Sequence, residues 1–145
     1  YFERTYKDLE IELDLPNISS YELPEKYNVI QLKSGVKDTS SRVLTKKNLD
    51  VIDKSIPSVL VGTDDIKIVG DFIDLRNKTS ISEAFSIIKQ SNHFYGPQGL
   101  LNFYTSSIRK EYTIYLKHDT DLHAVTHRVK KVNSWKVNTK YIRDF

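Results

Sequence analysis

Three of the four histidines, His118, His123 and His127, fall within one short stretch of the C-terminal third. On a helix Asp119, His123 and His127 would share one face, a spacing that metal ligands use. Taken at its strongest, that pattern predicts a metal-dependent enzyme. The remainder of such a site is missing: the sequence holds no HExxH and no carboxylate pair spaced to act as a base. A polar helix face carrying solvated histidines accounts for the same residues, so the expectation is no metal, no cofactor and no enzyme.

Other catalytic devices are equally sparse. There is no cysteine, which removes thiolate ligands, disulfides and cysteine nucleophiles, and fits a reducing compartment. Neither GxGxxG nor GxxxxGK[ST] occurs, so no known glycine-rich device cradles a phosphate. Ser, His and Asp are present without a nucleophile elbow. No small-molecule substrate is expected.

Binding surfaces carry more signal. The run RVKKVNSWKVNTKYIR interleaves Arg128, Lys130 and Lys131 with Trp135 and Tyr141, a composition suited to neutralising phosphates and stacking bases. This supports a nucleic-acid-binding domain as an alternative. Strand alternation works against it, because Trp135, Val137, Thr139 and Tyr141 share one face while Lys136 and Lys140 share the other. In HFYGPQG, Phe94, Tyr95 and Pro97 are either a surface anchor for self-association or a plug in the core.

Charge is unevenly spread. The net charge is +3, yet the opening stretch carries Glu10, Glu12, Asp14 and other acids, whereas Lys33, Lys37, Arg42, Lys46 and Lys47 begin a basic remainder. Opposed ends of this kind favour head-to-tail contact between copies and attraction to anionic partners.

The elements that must position these residues follow from periodicity. Leu9 to Leu15 alternates as a strand with one wet face, and Tyr27 to Lys33 and Val59 to Val61 are further short strands. Ser34 to Lys54 is expected to be a basic loop with one short helix. Ile66 to Leu75 is rich in β-branched residues and forms one long strand bent at Gly70. Ser80 and Glu83 make a capping box for a helix from Ile81 to Gln90, whose Ile81, Ala84, Phe85 and Ile88 form one apolar stripe. Gln90 to Gly99 is a loop, a second helix starts near Gln98, and Tyr112 to Leu116 and Trp135 to Tyr141 are strands. Asp119 or Thr120 caps a short helix between those two. No apolar run reaches the roughly 20 residues of a membrane span.

Strands that come in runs, with helices between only some of them, predict an α+β fold. One domain is expected over residues 1–145, a mostly antiparallel sheet packed by two to three helices. Because the chain starts at Tyr1 and holds no Met, a preceding N-terminal arm is also expected.

Two blocks resemble the matrix protein of rhabdoviruses. One is DFIDLRNKTS, the helix ISEAFSIIKQ and NHFYGPQGLLNFYTSS; the other is the terminal RVKKVNSWKVNTKYIRDF. Departures are a shorter middle region, the absence of PPxY and the absence of a lysine-rich N-terminal arm, which a compact matrix protein of a plant-infecting branch would fit. The resemblance implies a virion structural protein beneath the envelope, at the host cytoplasm and inner membrane surface. It implies self-association, possible open polymers, and condensation of the viral ribonucleoprotein during assembly and budding. On that basis Lys33, Lys37, Arg42, Lys46, Lys47, Arg128, Lys130 and Lys131 would meet anionic membrane or ribonucleoprotein. Glu10, Glu12, Asp14, Phe94, Tyr95 and Pro97 would serve self-association.

Overall fold

The structure, a computed structural model, describes residues 14–34 and 42–115 together with the strand Thr139–Ile142. A 3-10 turn at Ser19–Tyr21 leads into β1 (Asn28–Gln31), followed by the short β2 (Lys33–Ser34) and β3 (Arg42–Val43). Helix α1 (Lys46–Asp50) precedes β4 (Ser58–Val61) and β5 (Phe72–Asp74). Then helix and strand alternate: α2 (Ile81–Gln90), β6 (His93–Pro97), α3 (Leu100–Ser107), β7 (Tyr112–Tyr115) and β8 (Thr139–Ile142).

Six strands form one sheet in the order β5-β4-β1-β6-β7-β8, and every neighbouring pair is parallel. This corrects the expected antiparallel α+β sheet to an α/β fold. Two readings caused the error. Gly96 and Pro97 mark a loop in sequence, yet His93–Pro97 is a strand held between β1 and β7. Gly96 is needed there because a Cβ would lie 2.7 Å from the Phe94 ring. In addition, the long strand Ile66 to Leu75 shrinks to Phe72–Asp74, since Gly70 takes φ +149° and the preceding residues leave the sheet. With β6 added and the long strand shortened, the order reads strand, helix, strand, helix, strand, the crossover pattern that usually joins parallel neighbours.

Both faces of the sheet are covered. Val29, Val59, Val61, Phe94, Tyr112 and Ile114 pack with Ile87, Ile88, Leu101 and Tyr104 of α2 and α3. Ile30, Leu60 and Tyr115 point the other way, against Leu44, Ile52 and Leu49 of α1. Residues along β1, β4 and β7 are buried without exception, as strands covered on both faces must be.

The capping box of α2 is present as expected. Glu83 N–H donates to Ser80 Oγ at 3.1 Å, and Ser80 N–H donates to Glu83 Oε1 at 2.9 Å. Helix α1 has a box of the same kind, from Thr45 and Asn48. Of the expected strand Leu9 to Leu15, only Asp14 and Leu15 are described, and neither is in a strand. The helix expected after Asp119 lies outside the described residues.

Candidate functional site: a cleft at the carboxyl edge of the sheet

Counted along the sheet in chain order, the six strands run 3-2-1-4-5-6, and the order reverses between β1 and β6. Connections leaving β1 and β6 depart toward opposite sides, so a crevice opens beyond their carboxyl ends. Open parallel sheets bind ligands in that crevice. Here it holds a cleft of about 600 Å³, lined by Gln31 at the end of β1, Ser34 in β2, and residues that follow β4 (Gly62, Asp64) and β6 (Gln98, Gly99). The first residues of α2 and α3 complete it, with Ile81 and Leu100 exposed at its rim.

Each lining group is placed by its neighbours. Ser34 Oγ donates to the Gln98 carbonyl at 2.6 Å, tying the turn before α3 to β2. Gln31 Nε2 donates to the Lys33 carbonyl at 3.0 Å, which fixes the amide and leaves Oε1 buried with no partner among the described residues. Gly62 has φ +119°, a value that disfavours any side chain, and a Cβ there would sit 3.6 Å from Asp64 Oδ2.

Asp64 is 8% exposed. Its Oδ1 accepts from Arg76 Nη1 at 2.8 Å and from the Ile66 N–H at 3.0 Å, while Oδ2 has no partner among the described residues. Arg76 also holds Asp74, through Nε at 2.9 Å and Nη2 at 2.8 Å. The bonds from Arg76 keep the Asp74 carboxyl below the usual range, and its two carboxylate partners raise Arg76 in turn. Gln98 Oε1 is a third buried acceptor without a partner there.

The two helix N-termini at the cleft differ in what occupies them. At α2 the Glu83 carboxylate is bonded by the Ser80 N–H and, at 2.7 Å, by the Tyr21 hydroxyl; these bonds hold its pKa below the usual carboxylate value. At α3 the N-cap is Gly99, which has no side chain to offer, and no side-chain cap bond is made. The first helical bond runs from Phe103 N–H to Gly99 O at 3.0 Å, so the N–H groups of the first turn have no partner within the helix. Together with the helix dipole they favour an anion.

The cleft therefore presents donors and positive potential at α3 and bare acceptors at Asp64, Gln31 and Gln98. Strands β4 and β6 flank β1, so their ends are about 10 Å apart at normal strand spacing. A fitting ligand has an anionic end and hydroxyl or amino groups at about that distance.

Among the residues singled out from sequence, Lys33 lines this cleft. Lys46 and Lys47 are exposed on α1, and Asp14 is exposed. Phe94 is fully buried in the core facing α2 and α3, Pro97 is buried, and Tyr95 is partly buried on the other face. Tyr95 stacks obliquely on His93, their ring centres 4.4 Å apart. The backbone of Arg42 lies in β3, its side chain outside the description. Lys37, Arg128, Lys130, Lys131, Glu10, Glu12, His118, Asp119, His123 and His127 lie outside the described residues. Among those described, no three metal-ligating side chains cluster, and no helix is long and apolar enough to cross a membrane.

Sequence reasoning passed over Gln31, Asp64, Arg76 and Gly99. One signal was available: the helix after GPQG begins without any Ser, Thr, Asp or Asn in the capping position, unlike the helix that Ser80 opens. No protein-family model, no curated protein and no solved structure matches the chain.

Proposed function

We propose that this chain binds a nucleoside diphosphate in the carboxyl-edge cleft. The observation that carries the proposal is the pairing, in one crevice, of the uncapped α3 N-terminus with buried acceptors of Asp64 and Gln31 that have no partner among the described residues. The phosphates would rest on the N–H groups of Leu100 and Leu101, where the dipole favours negative charge. Lys33, which lines the same cleft, adds positive charge. The ribose would donate its hydroxyls to Asp64 Oδ2 and Gln31 Oε1. Asp64 follows the second strand in sheet order, the neighbourhood from which an acidic residue reaches ribose in related sheet topologies.

Gln98 Oε1 sits next to the phosphate end and suits a hydroxyl on a group esterified to the distal phosphate. A nucleotide-activated sugar has that layout, and the corresponding reaction class is group transfer with the diphosphate leaving. The bond from the transferred carbon to the diphosphate oxygen breaks, its electron pair stays on that oxygen, and an acceptor oxygen takes its place and gives its proton to solvent. The α3 N-terminus would stabilise the charge growing on the departing diphosphate. Dehydrogenase and P-loop phosphoryl-transfer classes fit less well, because the sequence lacks both glycine motifs.

Thermal unfolding with ribonucleoside diphosphates, free ribonucleosides and inorganic phosphate tests the proposal. A diphosphate at a hundred times its Kd should stabilise the fold by about 2.7 kcal/mol. Nucleosides and phosphate alone should shift the midpoint far less. Equal shifts from a diphosphate and its phosphate-free nucleoside would end the proposal.

Matrix-like assembly on an anionic membrane is a second proposal, supported among the described residues by the exposed Lys46 and Lys47. It calls for salt-sensitive oligomers and sedimentation with anionic liposomes, and a chain that stayed monomeric and ignored liposomes would rule it out.

A further inference from the structure

We propose that Arg76 is a positioning residue that sets the preference of the cleft for ribose over 2′-deoxyribose, acting through Asp64. The inference rests on the nucleotide reading above and adds what determines the sugar.

A carboxylate has two equivalent oxygens, and rotation about its last bond exchanges them. Asp64 is prevented from doing so. Its Oδ1 is fixed by Arg76 Nη1 at 2.8 Å and by the Ile66 N–H at 3.0 Å, and the same Nη1 donates to the Ile66 carbonyl at 2.6 Å. The other side of the guanidinium is anchored on both oxygens of Asp74. The backbone around Asp64 is held as well: Asn77 Nδ2 donates to the Asp64 carbonyl at 3.1 Å, and Asn77 N–H to the Gly62 carbonyl at 2.9 Å. Both bonds to the Asp64 carboxylate fall on Oδ1, and Oδ2 is left buried at the cleft with no donor among the described residues.

The planar fork of arginine is what allows this. Its separate N–H groups reach Asp64, the Ile66 carbonyl and Asp74 at once, whereas a lysine ammonium is a single point that cannot span all three. Without the span, the carboxylate is free to turn, and Oδ2 no longer stands in a fixed place for a hydroxyl. Asp74, with its side chain 44% exposed, is the outer anchor and should matter less than Asp64.

The experiment measures Kd for ADP, GDP, CDP and UDP and for their 2′-deoxy counterparts, with the wild-type chain, Arg76→Lys and Asp74→Asn. In the wild type, the best ribonucleotide should bind about tenfold to a hundredfold tighter than its deoxy form, as a hydrogen bond to a charged group allows. In Arg76→Lys that ratio should fall to about threefold or less, the deoxy Kd staying nearly constant, while Asp74→Asn gives an intermediate ratio. Equal weakening of ribo and deoxy forms would show Arg76 to be a scaffold residue and would overturn the inference, leaving diphosphate binding in place. A wild-type chain that binds both forms equally would overturn it too. If no diphosphate binds at all, both the inference and the reading beneath it fail. Should Arg76→Lys not fold, the Asp74→Asn ratio decides, with an unchanged preference counting against the proposal.

Discussion

Helices α2 and α3 both begin at the cleft, but only α2 arrives with its own counter-charge. Ser80 and Glu83 close a capping box, and the Tyr21 hydroxyl adds a bond to the same carboxylate. Gly99, by contrast, places nothing over the first turn of α3. A helix end that the chain satisfies itself serves the fold, and one that it leaves bare at a crevice is available to a ligand. The same division separates the two edges of the sheet. At the amino edge Asn92 N–H donates to the Tyr27 carbonyl at 2.7 Å, His93 Nε2 pairs with Thr113 Oγ1 at 2.9 Å, and Lys110 Nζ donates to the Ser91 carbonyl. The acceptors of Gln31, Asp64 and Gln98 that have no partner among the described residues lie instead at the carboxyl edge.

Gly99 is where a substitution should change the difference between the two helix ends most. Gly99→Asp gives α3 the internal carboxylate that α2 already has, and like charge facing the phosphates should weaken diphosphate binding by about 2 kcal/mol, or thirtyfold in Kd by calorimetry. Gly99→Ala adds only a Cβ, 3.1 Å from the Ser34 Cβ, and should stay within about threefold. If both variants bind like the wild type, the α3 terminus is not the phosphate site.

A smaller effect of the opposite kind is expected at α2. Ser80→Ala removes a cap and should cost about 1 kcal/mol of stability, seen as a lower urea midpoint. Its diphosphate affinity should match the wild type, and a loss of affinity without a loss of stability would reverse the roles assigned to the two helix ends.

The smallest effect is in acid. Because its bonds to Ser80 and Tyr21 lower the folded-state pKa of Glu83, its contribution is complete above the unfolded carboxylate value of about 4.3 and disappears as pH falls through the folded value. Urea midpoints of the wild type and Glu83→Gln should therefore differ at pH 7 and converge only as pH falls through the lowered folded value of Glu83. A constant difference across that range would mean that the carboxylate charge plays no part in the cap.

Local chemistry was legible in the sequence wherever the signal was short-range. Ser80, Glu83 and the stripe of Ile81, Ala84, Phe85 and Ile88 placed α2 at about Ile81 to Gln90, where it is found, and Val59 to Val61 and Tyr112 to Leu116 located β4 and β7. Chain pairing was not legible. Gly96 and Pro97 concealed a central strand, because the demand for glycine comes from the Phe94 ring beside it, a contact that only the fold creates. Losing that strand, together with the overlong strand expected from Ile66 to Leu75, turned a parallel sheet into an expected antiparallel one. The cleft was concealed for the same reason: Gln31 ends a strand while Asp64 and Gln98 lie in two separate turns, and their common property, a buried acceptor with no partner among the described residues, exists only after the strands assemble. Asp64 in particular sits in the sequence as an ordinary turn residue after Gly62.

The most direct measurement is a titration of the isotopically labelled chain with a ribonucleoside diphosphate, following backbone amide resonances. Phosphates seated on α3 should move the amides of Gly99, Leu100, Leu101 and Asn102 most, while those of Ile81 to Glu83 at the capped α2 terminus move little. The largest changes appearing at α2, or none appearing at either helix end, would contradict the division between a helix end kept for the fold and one left for a ligand.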